Sequence, residues 1–167
     1  GEMKPLSFIG SKYSLEEEET LHFSKETVEK KTIKEIELME YGSHIHELLE
    51  RCDIENKALP TNITLKEEKL LNDFLNQEFF KIHNNMKIYK EYEFLDYENN
   101  TRLHGKIDLL LVGNDNAIIV DYKLQNTQDK AYLKQLNGYK KVIEKKLSIP
   151  VTCYLYSIID EKFIKII

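Results

Sequence analysis

Asp108, Asp121 and Lys123 are the residues of this 167-residue chain whose types and spacing best suit chemistry. They flank Gly113-Asn114-Asp115-Asn116, a strong turn signal between the apolar runs Leu109-Leu110-Leu111-Val112 and Ile118-Ile119-Val120. A turn centred between Asn114 and Asp115 sets Asp108 opposite Asp121 on one sheet face, with Cβ atoms roughly 4.5–5.5 Å apart. Like charges facing each other across a ladder repel, and a divalent cation with hard oxygen ligands cancels that repulsion. Lys123 follows Asp121 by two residues and projects to the same face. Read alone, the Asp-x-Lys triplet is a structural ion pair, with Lys106 and Lys123 answering the two acids. The register adds the second carboxylate, and an offset of one residue would send it to the other face.

Elements before and after this hairpin must bring further groups to it. A helix over about Thr32–Arg51 carries Met39, Gly42, His46 and Leu49 in one stripe. His46 sits one turn after Gly42, whose missing side chain leaves room for close approach. His44 is the weaker candidate, because i and i+2 do not share a helix face. A second helix is expected over about Thr64–His83, with Thr64 and Glu67 as a capping box. A strand over about Met86–Leu95 would place Ile88, Tyr92 and Phe94 on one side. Strands over Leu103–Val112 and Ala117–Leu124 follow, apolar without alternation and so buried on both faces of a layered α/β domain. A third helix over about Asp129–Leu147 has Tyr132, Gln135, Leu136, Tyr139, Val142 and Ile143 as its stripe. Gln135 and Tyr139, at i and i+4, can reach one point. Strands over Val151–Ile158 and Phe163–Ile167 close the order.

The length suits one domain, and the mix of 41% hydrophobic and 32% charged residues is globular. No run approaches the ~18 apolar residues of a membrane span. Cys52 and Cys153 are too few for a disulfide framework or a four-cysteine metal site, and a cytoplasmic protein is expected. A net charge of −5 argues, as a total, against a nucleic-acid partner. Its distribution says otherwise: residues 122–167 hold 9 bases and 4 acids, so the excess of acids lies before them. Gly1 before Met3 suggests a piece of a longer chain, and Glu16–Glu19 reads as a solvated acidic run. No Walker motif is present, so these residues are not a motor.

In order along the chain, the motifs are Gly42-x-x-x-His46, Glu91-x-x-Phe94, Gly105-x-x-Asp108, Asp121-Tyr122-Lys123 and Gln135-x-x-x-Tyr139. This set resembles the RecB-like nuclease domains of the PD-(D/E)XK superfamily, most of all the C-terminal domain of AddA-type helicase–nucleases. The resemblance implies a restriction-endonuclease-like core, a central mixed sheet of about five strands flanked by helices. It implies a lead-in segment over 1–34, a linker to an absent helicase part, and a nuclease domain over 35–167. His46, Asp108, Asp121 and the Tyr122 backbone carbonyl would hold one or two Mg²⁺ or Mn²⁺ ions, with no iron–sulfur cluster. Asp108, Asp121 and Lys123 would be the catalytic set, Lys123 orienting water and stabilising charge. Gln135, Tyr139, Tyr132 and Glu91 would support the site or the substrate. Leu124 and Gln125 depart from the Thr and Asp common after the triplet in that family.

The function so implied is metal-dependent hydrolysis of DNA by an exonuclease in double-strand break repair and recombination. Its partners would be a DNA strand delivered by a helicase in the same native chain and a second subunit, with no membrane. Two alternatives differ in kind: a non-catalytic nuclease-fold module that grips single-stranded DNA or a partner, and a free-standing nuclease of the same superfamily.

Overall fold

The structure, a computed structural model, describes residues 7, 8, 11, 12 and 32–167. Two short strands, β1 (Ser7–Phe8) and β2 (Ser11–Lys12), pair antiparallel within the expected lead-in segment. The rest of 1–31, including Glu16–Glu19, lies outside the described residues. The other elements are α1 (Ile33–Arg51), α2 (Leu65–Leu75), α3 (Glu78–Ile82), β3 (Lys87–Glu98), β4 (Thr101–Val112), β5 (Ala117–Lys123), α4 (Lys130–Leu147), β6 (Val151–Ser157) and β7 (Lys162–Lys165).

The sheet runs β3-β4-β5-β6-β7 and is mixed. Its neighbours are antiparallel except β5 and β6, which are parallel and joined through α4, as a crossover between parallel strands requires. Helices cover both faces. Ile45, Leu48 and Leu49 of α1, with Leu71 and Phe74 of α2, pack on Leu109, Leu111, Ile118 and Val120. Leu136, Tyr139, Val142 and Ile143 of α4 pack on Leu110, Ala117 and Ile119 from the other side. The unbroken apolar runs of β4 and β5 are therefore buried on both faces, as expected. This is the mixed, helix-flanked sheet of a restriction-endonuclease-like core. No described helix is long and apolar enough to cross a membrane.

Two local readings change. The single helix expected over Thr64–His83 is two helices, although the Thr64–Glu67 capping box forms at its start. Asn76 ends α2 by turning its Nδ2 onto the Asn72 carbonyl at 2.8 Å. Gln77 goes extended, and its Nε2 donates to the Glu161 carbonyl at 2.9 Å. A short Asn side chain that competes for a local backbone carbonyl ends a helix in this way, and the distant Glu161 carbonyl then holds Gln77. The break turns Phe79 onto Phe163, ring on ring at 3.9 Å.

The second change concerns β3. Ile88 packs on the α1–α2 face, whereas Tyr92 and Phe94 pack on the α4 face, so the three do not share a side. Residues two or four apart in a regular strand would share one. Between them lies Glu91, at φ 50, a left-handed backbone that is costly for a non-glycine residue. β4 switches at the same level: Leu109 faces the α1 side and Ile107 the α4 side. The residue at that switch is Asp108.

Candidate active site

The β4–β5 register is the one that a turn between Asn114 and Asp115 sets. Gly113 N–H donates to the Asn116 carbonyl at 2.9 Å, and pairing runs from Val112↔Ala117 to Leu109↔Val120. Asp108 and Asp121 stand one step beyond. They are 1% and 3% exposed. Asp108 Oδ2 accepts the Tyr122 backbone N–H at 2.7 Å. Asp121 Oδ2 is buried with no hydrogen bond from the described residues, and Lys123 Nζ lies 4.0 Å from it.

Burial, and then the Asp108 carboxylate, push Asp121 well above the usual carboxylate range; Lys123 pulls the other way. Burial lowers the Lys123 ammonium, against the pull of Asp121 and Asp108. Lys123 Nζ also lies 4.7 Å from the centre of the Tyr132 ring, a cation–π contact that fixes it at the start of α4. Burial likewise raises the Tyr132 phenol, with Asp121 adding to the effect.

The long helix α1 brings its stripe over this spot. Lys90 Nζ donates to the Cys52 carbonyl, tying the end of α1 to β3. His46 Nε2 lies 3.0 Å from Asp108 Oδ1, and His46 Nδ1 lies 2.9 Å from Glu50 Oε1. Both ring nitrogens thus face carboxylate oxygens. A neutral imidazole has one N–H, so the second contact needs a proton or a cation. Ligand atoms of His46, Glu50 and Asp108 lie within 4.8 Å of one another, close enough to hold a metal ion. With two buried acids side by side and Asp121 Oδ2 lacking a donor, the donor set fits a hard divalent cation. Glu50 is the group that the motif reading missed. Its signal was its i,i+4 spacing from His46 on a helix.

The remaining candidates are placed as follows. Gln135 Nε2 donates to Tyr139 Oη at 3.0 Å, and the Tyr139 ring meets Phe94 edge to face at 5.5 Å. Both rings close over Gly105, where a Cβ would come within 2.6 Å of each. Glycine is thus required by close approach. Glu91 faces Asp108 across the β3–β4 ladder, between Lys90↔Leu109 and Tyr92↔Ile107, and pairs with Lys106 at 3.3 Å. Lys106 therefore serves Glu91. The Tyr122 ring is buried in the α1–α2 core, while its N–H holds Asp108. His44 points elsewhere, to Glu67 at 2.5 Å.

Comparison with known proteins agrees with this geometry. Residues 64–164, more than half of the chain, match the model of the PD-(D/E)XK nuclease superfamily. The matched span includes Asp108, Asp121, Lys123, Gln135 and Tyr139, and stops short of His46 and Glu50. No curated protein matches the chain. With the mixed sheet, the paired acids and the lysine two residues on, the chain belongs to the PD-(D/E)XK nuclease superfamily.

Proposed function

We propose that this domain is a DNA nuclease that hydrolyses phosphodiester bonds with Mg²⁺ or Mn²⁺ held by His46, Asp108, Asp121 and the Tyr122 carbonyl, with Glu50 as an added ligand or His46 anchor. One observation carries the reading: Asp108 and Asp121 are buried together, and the one ammonium close to Asp121 among the described residues is 4.0 Å away. A divalent cation bound there supplies positive charge to the scissile phosphate and acidifies water.

The chain's own groups do the positioning. Asp108 is held by the Tyr122 N–H, which fixes one oxygen and leaves the other toward His46. Glu50 orients His46 through Nδ1, as carboxylates orient metal-binding histidines. Lys123, pinned by Tyr132, places a fixed positive charge where negative charge develops on the phosphate. Gln135 and Tyr139 brace the wall formed by Phe94 and Gly105, beside which the substrate strand would pass.

In its wider setting we read the domain as the nuclease part, over 35–167, of an AddA-like helicase–nuclease. It would act as an exonuclease in recombination and repair on strands delivered by the helicase, together with a second subunit. The motif set supports that setting, and the buried free thiols Cys52 and Cys153 suit a cytoplasmic protein. Burial pushes these thiols up to about 11 and about 12, which keeps them unreactive.

The test is cleavage of single-stranded and duplex DNA with Mg²⁺ or Mn²⁺ by the wild type, Asp121→Ala and Lys123→Ala. Cation-dependent cleavage lost in both variants is expected. Cleavage that survives either substitution refutes the assignment of that residue.

A further inference from the structure

The last third of the chain carries the positive charge, and the fold gathers much of it on one edge of α4. Lys130, Lys134, Lys141 and Lys145 follow at spacings of 4, 7 and 4, which keeps them on one side of the helix. All four are exposed. The stripe runs for about 22 Å at 1.5 Å per residue.

Three of these lysines, Lys134, Lys141 and Lys145, line a groove of about 280 Å³ between α4 and the outer end of the β3–β4 hairpin. Buried Leu103 and Val142 give it an apolar floor. Tyr97 stands on the opposite wall, 58% exposed. Gly138 adds no side chain between the lysines, so the track stays open along the helix. Asp96 and Glu98 are also present, but Lys145 already pairs with Asp96 at 3.5 Å. Lys134 and Lys141 against Glu98 leave the groove with an excess of one positive charge, in a chain whose net charge is −5.

Its position links it to the candidate active site. Lys134 precedes Gln135, Gly138 precedes Tyr139, and Leu103 stands two residues before Gly105, which Tyr139 touches. The volume lies just below that of pockets that enclose small ligands (~300–1,000 Å³), which suits a track better than a cage. A row of ammoniums follows one phosphate backbone, and an exposed ring beside an apolar floor takes unstacked bases. A duplex keeps its bases inside and has no use for Tyr97.

We propose that this groove carries the single-stranded continuation of the nucleic acid cut at the Asp108–Asp121 site, with lysines on its phosphates and the Tyr97 ring against a base. The identity of the strand rests on the nuclease reading above.

The test is binding of a fluorescein-labelled oligothymidylate to the full chain, without divalent cations, followed by anisotropy across a salt series. K134Q/K141Q/K145Q should weaken binding by about tenfold or more at low salt. It should also flatten the salt slope by about 1.4, since each single-strand phosphate neutralised by a lysine adds ~0.7 to that slope and Lys145 is already paired with Asp96. Tyr97→Ala should weaken binding several-fold at every salt concentration, by roughly the worth of one stacked base, and Tyr97→Phe should retain it. K162Q/K165Q, on β7, should bind as the wild type does.

Unchanged affinity and slope in the triple lysine variant would overturn the proposal. So would a duplex that binds more tightly than the single strand and loses as much in that variant. Polyglutamate binding as tightly as the oligothymidylate would overturn nucleic acid as the occupant and point to an acidic protein segment. A wild type that binds with these contrasts yet cleaves nothing sinks the nuclease reading alone. Cleavage without any binding contrast sinks the groove alone.

Discussion

Two pairs of carboxylates approach each other in this molecule, and they meet the repulsion differently. Asp73 on α2 and Glu161, in the turn between β6 and β7, lie near the surface. Lys69 reaches Asp73 at 2.7 Å from an exposed position and holds it below the usual carboxylate range. Glu161 is raised, first by burial and then by Asp73, and can keep a proton. The exposed Lys69 ammonium answers the Asp73 charge, and the raised Glu161 takes up the rest. Asp108 and Asp121 have little water, and Lys123 at 4.0 Å is itself disfavoured as a cation by burial. Closeness of acids is therefore a poor mark of a site. Two acids buried side by side, next to a histidine between two carboxylates, are a better one.

The largest expected contrast is in rate. Lys123→Ala should lower cleavage of single-stranded DNA by about 10²–10³-fold, the usual loss when a fixed donor to developing charge is removed. Lys69→Ala removes a lysine that also pairs with an acid and should leave the initial rate with Mn²⁺ unchanged. Equal losses in the two variants would erase the distinction between the pairs.

Cation affinity should separate the pairs next. Glu50→Gln keeps the shape of the side chain and removes its charge beside His46. Titration calorimetry should show Mn²⁺ binding weakened by about 10–100-fold, the range for removing carboxylate partners of metal-binding histidines. Asp73→Asn, an equal loss of charge in the other pair, should leave Mn²⁺ binding as it was. Wild-type affinity in Glu50→Gln would remove Glu50 from the site.

Stability should then move in the opposite direction to function. Asp121→Asn relieves buried like-charge repulsion, so the cation-free variant should melt higher than the wild type, on the order of 1 kcal/mol or ~2–4 °C. The sign with pH follows from the raised pKa of Asp121. The folded form binds the proton more tightly than the unfolded chain, so stability from this group is present at low pH. It is lost as pH rises from ~3.9 through the folded value. The gap between variant and wild type should widen across that window and then level off. Mg²⁺ at about 100 times its Kd should stabilise the wild type by ~2.7 kcal/mol and reverse the order. A variant that melts lower than the cation-free wild type at neutral pH would show that the two acids do not repel.

Much of this arrangement was legible because short-range signals fix it. The Gly113–Asn116 turn sets the register that aligns Asp108 with Asp121, and helical periodicity picks out the six buried residues of α4. What was not legible depends on contacts distant in sequence. Glu91 is held at φ 50 where both strands change faces, and no glycine marks the place. The α2 break depends on Gln77 meeting the Glu161 carbonyl, 84 residues away. Glu50 was hidden because its spacing from His46 is also that of an ordinary solvated helix pair. The distinction comes from Asp108, which reaches the other side of the same ring at 3.0 Å.

The smallest effect should come from the surface pair. Glu161→Gln removes the charge whose folded pKa is raised, so it too should stabilise the protein above ~4.3, the ordinary glutamate value. The gain should be only a few tenths of a kcal/mol, because solvent and the exposed Lys69 already screen the pair. Mg²⁺ should raise the melting temperature of this variant as much as that of the wild type, unlike Asp121→Asn. The comparison therefore turns on the cation response rather than on the size of the stability change. Two acids that are both raised by a neighbouring carboxylate but respond differently to Mg²⁺ place the ion at Asp121. A missing Mg²⁺ response in Glu161→Gln would put it at the wrong pair.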